Sequence, residues 1–175
     1  MAPGWSNFFF LIGSAAAGLI GLLFVIMTLM AGVERSKALR GQALYMTPTI
    51  AHFGAVFAIS AVSLAPGLTL REAAFVFGFV ALLGFACAGR AVIGFFRPSP
   101  GNEPHWSDFW LYAALPAVLY AALVVDAAGV WNHAAWAVRI QAGLLLILLL
   151  LGIRNAWDLV SWMAPSRPPP GNSEL

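Results

Sequence analysis

Apolar residues run along this chain in long unbroken stretches, not in the short alternating groups of a half-buried strand. They occupy positions 8–33, 48–64, 73–96, 109–125 and 134–153. Crossing the hydrocarbon of a bilayer takes about 20 apolar residues in a helix, with a range of roughly 17–25. Each stretch therefore predicts a transmembrane helix. Pro48 suits a first helical turn, and Pro116 falls near the middle of the fourth stretch. The fifth continues as an amphipathic turn or two toward Trp162. The expected fold is an all-α polytopic membrane bundle of five helices over 1–164, followed by a proline-rich tail at 165–175.

The spacers carry breaking signals. Pro66-Gly67 predicts a tight turn between the second and third helices. Three prolines within 97–104 and four in the tail cannot extend a helix, and Gly129 is expected to close the fourth one. Ser14 to Ala17 offers small residues of the kind found at a signal-peptide cleavage site. Yet no Lys or Arg precedes the run, and the run outlasts an h-region. The first stretch is therefore expected to remain as a span.

Composition sharpens this. Of 175 residues, 61% are hydrophobic and 9% charged, against about 25% charged in an average soluble domain. A soluble fold of this size leaves roughly a third of its surface wet and cannot hide so much apolar area. Disorder and nucleic-acid binding are excluded as main themes. The single cysteine, Cys87, excludes an internal disulfide and a four-cysteine metal site, and it is expected to be an inert filler. Richness in Ala, Gly and Arg suits a GC-rich bacterial genome, hence a bacterial inner membrane.

The basic residues set the expected orientation. With the N-terminus outside, Arg35, Lys37, Arg40, Arg90, Arg97, Arg154 and Arg167 fall toward the cytoplasm, leaving Arg71 and Arg139 outside. Trp5 and Trp131 then mark the outer boundary; Trp106, Trp110, Trp157 and Trp162 mark the inner one.

Lipid is as apolar as Leu, so small residues and polar contacts must join the helices. Gly13, Ala17 and Gly21 recur at four-residue spacing, as do Ala113, Ala117 and Ala121. Ala74 with Gly78, and Gly84 with Ala88, repeat it in the third helix. Such stripes pack a bundle or join copies of the chain. The eight apolar residues at 144–151 are expected to face lipid.

Polar residues within spans are the candidates for chemistry. Toward the inner side these are His52, Arg90, Asp108, Arg154 and Asp158. Toward the outer side Arg71, Glu72, Asp126 and Arg139 form an expected collar, with Asp126 pairing Arg139 across a short connection. Arg90 lies close enough to the interface to snorkel. Arg154, Asn155 and Asp158 are expected to cap the inner end of the fifth helix. His52 is read as a hydrogen-bonded packing residue, and Gln141 as a bond to a neighbouring helix. Ser60, Ser63 and Thr69 could line a pore. No phosphate loop, HExxH or GxSxG constellation is present, and no cofactor or metal is expected.

Helix number, length and seven tryptophans make the chain similar in outline to the tryptophan-rich sensory (translocator) proteins. That family's tryptophan and proline clusters after the first helix have no counterpart in 34–47, so no residue is carried over from it.

Three functions fit this pattern. One is a non-enzymatic scaffold or accessory subunit, with the lipid bilayer and copies of itself or another membrane protein as partners. The second is an oligomeric channel or passive carrier for a small solute or ion. The third is a membrane redox or lipid-modifying enzyme with an inner-face site at His52, His105 and Arg90.

Overall fold

The structure, a computed structural model, describes residues 4–29, 47–96 and 109–163. All regular structure among them is helical: α1 (Ser6–Leu29), α2 (Thr47–Leu64), α3 (Leu70–Phe95), α4 (Leu115–Trp131) and α5 (Ala137–Met163), with a π-helical turn, Trp110–Ala114, leading into α4. The segments Ser6–Ile26, Leu70–Ile93, Trp110–Trp131 and Ala137–Asp158 are long and apolar enough to cross a membrane. Pro48–Leu64 is a shorter apolar helix. Asp108, the loop at 97–104 and the tail at 165–175 lie outside the described residues.

The helices run up and down. Gly13 near the start of α1 meets Ser60 near the end of α2, Gly152 late in α5 meets Phe53 early in α2, and Gly84 in α3 meets Tyr120 in α4. α2 packs on α1, α3 and α5, while α4 closes the bundle between α3 and α5. The turns at 65–69 and 132–136 share one end of the bundle, together with the start of α1. This is called the turn end below.

Side-chain size is sorted the reverse of a soluble core. Ala16, Ala55, Ala73, Ala74, Ala81 and Ala88 are buried, whereas Phe10, Phe24, Phe75, Phe79 and Phe96 project outward. An outer surface this apolar marks contact with a non-aqueous phase. Missing side chains then permit the closest contacts. A Cβ on Gly84 would overlap the Tyr120 ring, one on Gly152 would lie 2.6 Å from the Phe53 ring, and one on Gly129 would lie 2.5 Å from Trp136.

Several expectations change. Gly129 does not close the fourth helix, which runs on to Trp131. Its lack of a side chain serves instead to seat Trp136. The helix ends in a Schellman motif: Ala134 N–H donates to Gly129 C=O and His133 N–H donates to Val130 C=O. His133 takes the left-handed conformation, with φ 57°, where glycine is more usual. The stretch 144–151 does not simply face lipid. Leu145, Leu148, Leu149 and Leu151 are buried, and Leu146, Ile147 and Leu150 are exposed, because a helix turns 100° per residue. Cys87 fills no core space; it is exposed.

Pro116 stands in the first turn of α4, not near the middle of that helix. Leu115 N–H reaches back to Trp110 C=O, the wider π register, so the turn loosens just where the proline ring would crowd the Tyr112 carbonyl. The third helix begins with a capping box. Thr69 N–H and its hydroxyl each donate to Glu72 Oε2 at 2.8 Å, and Glu72 N–H donates to Thr69 Oγ1. Thr69 therefore starts a helix and is no pore-lining group.

The glycine contacts yield a test. Gly84→Ala is expected to destabilise the folded protein by about 1–3 kcal/mol, since the buried ring has nowhere to shift. Gly89→Ala, with nothing within 4 Å of its added carbon, is expected to be neutral or to stabilise by up to about 1 kcal/mol through helix propensity. Unfolding monitored by circular dichroism in detergent micelles separates the two.

Candidate functional site

The polar groups inside the bundle lie along one helix. α2 turns Thr49, His52, Ser60 and Ser63 inward, all buried. Spacings of three, eight and three residues keep them on a single stripe. A helix that packs against three others thus carries polar atoms into the interior. Also buried in the bundle are Tyr120 and Asp126 of α4, and Gln141 and Asn155 of α5.

The half away from the turn end holds two small networks. Tyr120 Oη and His52 Nδ1 share a hydrogen bond of 3.0 Å, and His52 Nε2 has no partner. Tyr112 Oη–H donates to Asp158 Oδ2 at 2.9 Å, and Arg154 Nη1 lies 3.4 Å from the same oxygen. Asn155 stands between these networks on α5. One turn to one side, Gly152 lies under Phe53 of α2; one turn to the other, Asp158 meets Tyr112 of the π-helical turn. Asn155 is 0% exposed, and neither its Oδ1 nor its Nδ2 has a hydrogen-bond partner.

The half toward the turn end holds Ser60, Ser63, Asp126 and Gln141. Asp126 is 1% exposed, its Oδ1 has no partner, and the Oγ atoms of both serines and Nε2 of Gln141 also lack one. Asp126 stands five residues before the end of α4, about 7.5 Å along the axis. Burying an unpaired carboxylate is among the most costly things a fold can do. Polar groups held this way are found where a protein binds or passes something.

The structure sorts the candidates accordingly. Of the inner set, His52 is inside the bundle, Arg154 and Asp158 form a partly exposed pair, and Arg90 is exposed on α3; Asp108 is among the undescribed residues. Arg154, Asn155 and Asp158 do not cap α5, which continues to Met163. Of the outer set, Arg71 places its guanidinium over the Trp131 ring at 5.7 Å, and Glu72 is spent on the capping box. Among the described residues no ion pair joins Asp126 to Arg139: Asp126 points into the bundle, while Arg139 is exposed. Of the small-residue stripes, Gly13 and Ala113 are buried, Ala117 is half-buried, and Ala17, Gly21 and Ala121 face outward. No group of three or more His, Cys, Asp or Glu able to hold a metal occurs among the described residues.

Asn155, Tyr112 and Tyr120 were not anticipated as members of the site. The spacing of Leu119, Tyr120, Leu123, Asp126, Ala127 and Val130 at helical intervals would have carried Asp126 onto the inner face. The Arg154 and Asp158 pair likewise frames Asn155. The chain matches no known protein family, curated protein or solved structure.

The His52–Tyr120 bond can be measured. A double-mutant cycle of His52→Phe and Tyr120→Phe in micelles is expected to give a coupling of about 0.6–1.7 kcal/mol, the range of buried interhelical bonds in membranes. Strict additivity would show that the two side chains act separately.

Proposed function

We propose that the protein crosses a bilayer five times and acts as a passive carrier or channel for a small solute or ion, with the polar stripe of α2 as its route. α2 supplies about 27 Å of helix from 18 residues, at 1.5 Å each, close to the ~30 Å hydrocarbon thickness. The observation that carries the reading is Asp126. It is a buried carboxylate with an unpartnered oxygen, level with the serines of α2, in a segment whose outer surface is apolar. Intramembrane ionisable groups of this kind mark ion and solute paths. Two serines, two carboxamides and the His52–Tyr120 pair extend the polar stripe along the rest of the bundle. A chain of 175 residues is small for a lone transporter, so the working form is a homo-oligomer.

The membrane assigned is the bacterial inner membrane, with the N-terminus outside and the C-terminus in the cytoplasm. The excess of Lys and Arg at the end opposite the turns supports this. A scaffold or accessory-subunit role is the second reading. It is favoured by the outward side of α1, where Ala17, Gly18 and Gly21 are exposed and both glycines have open space beside them. Another helix could approach closely there.

Flux and sidedness test these assignments. Liposomes holding the protein are expected to admit protons or small polar solutes faster than empty ones, by internal pH dye and light scattering. Asp126→Asn should slow entry at least tenfold with unchanged helical melting, and His52→Phe at least tenfold in protein that still folds without the Tyr120 bond. Folded protein that gives no flux would move the assignment to the scaffold.

For sidedness, Leu68→Cys in a Cys87→Ser background should react with a membrane-impermeant maleimide in intact cells. Labelling only after permeabilisation would invert the topology.

A further inference from the structure

The turn end of the bundle holds a cleft of about 480 Å³, within the range that small-molecule sites occupy. It lies between the starts of α1, α3 and α5 and the end of α4. Its walls are mostly hydrocarbon: Trp5, Phe9, Leu70, Phe77 and Val130 contribute the large side chains. Its polar side chains carry no negative charge. Arg139 and Gln141 line it from α5 and His133 lines it from the Schellman turn, while no carboxylate is among the lining residues. Arg139 makes no ion pair among the described residues.

Two features aim at an anion. Ala137, Val138 and Arg139 are the first residues of the 27-residue helix α5. They line the cleft, so the positive end of the helix dipole opens there. Independently, Gln141 is 3% exposed, and its side-chain nitrogen, a donor of two hydrogen bonds, has no partner.

We propose that this cleft binds one amphipathic anion per protomer, a hydrocarbon tail bearing a carboxylate or phosphate head. The tail lies among Trp5, Phe9 and Phe77, and the head meets Gln141, Arg139 and the first turn of α5. The cleft shares Gln141 with the α2 route and otherwise uses residues outside it. A free fatty acid and an anionic phospholipid share the chemistry, and both are presented at a membrane boundary.

The test uses the full chain in a neutral detergent. It is titrated with oleate, dioleoylphosphatidylglycerol and dioleoylphosphatidylcholine, and bound molecules are counted by native mass spectrometry. One oleate or one phosphatidylglycerol should bind per protomer, with phosphatidylcholine at least tenfold weaker. Binding of oleate alone assigns a fatty acid, and of phosphatidylglycerol alone a lipid head group. The double variant R139A/Q141L should lose at least tenfold in affinity. Ala135 lines the cleft from the exposed connection, so Ala135→Trp should exclude the tail without disturbing the helices. Asp126→Asn should bind as wild type, which keeps this result apart from any failure of flux. Equal binding of phosphatidylcholine, or wild-type binding by Ala135→Trp, would overturn the proposal.

Discussion

The seating of Tyr120 governs how this bundle closes. Its ring rests where Gly84 has no side chain, which draws α3 and α4 together, and its hydroxyl meets His52 across the interior. One side chain therefore sets the spacing of three helices. The contact uses both means by which helices associate in hydrocarbon: close approach through a missing Cβ, and a hydrogen bond that water does not compete for. Gly152 under Phe53 repeats the first device between α2 and α5. Neither contact depends on expelling water, and so the large apolar residues are free to point outward.

That inversion explains why the helices were legible and their orientations were not. Length and apolarity alone mark out five segments, and breaking residues separate them. In a soluble protein the same stretches would reveal their buried faces by hydrophobic periodicity. Here both faces are apolar, so nothing in 144–151 distinguishes Leu148, which is buried, from Leu150, which is not. Small-residue spacing is a partial guide. It locates Gly13 against Ser60, yet it extends equally to Ala17 and Gly21, which turn outward.

The polar stripe was legible in its members more than in its arrangement. His52, Ser60, Ser63 and Gln141 stand out as polar residues in apolar company. Asp126 does too, but its place was misjudged, because the helix was expected to stop at the glycine that follows. Gly129 is the residue that misleads. The signal of a helix end and the signal of a close side-chain contact are the same missing Cβ, and only the position of Trp136 tells them apart. Asn155 is hidden for another reason: beside Arg154 and Asp158 it reads as part of a hydrated helix end, whereas it faces the interior.

The π-helical turn at Trp110–Ala114 carries one residue more than an α-helical turn would hold there. Winding the same residues as an ordinary α-helix would leave that extra residue unabsorbed. Everything before the turn would then rotate by about 100° around the axis and slide by about 1.5 Å. Tyr112 would leave Asp158, while Tyr120, beyond the turn, would keep its place. The wider winding of this short segment is thus what aligns one half of the polar interior with the other.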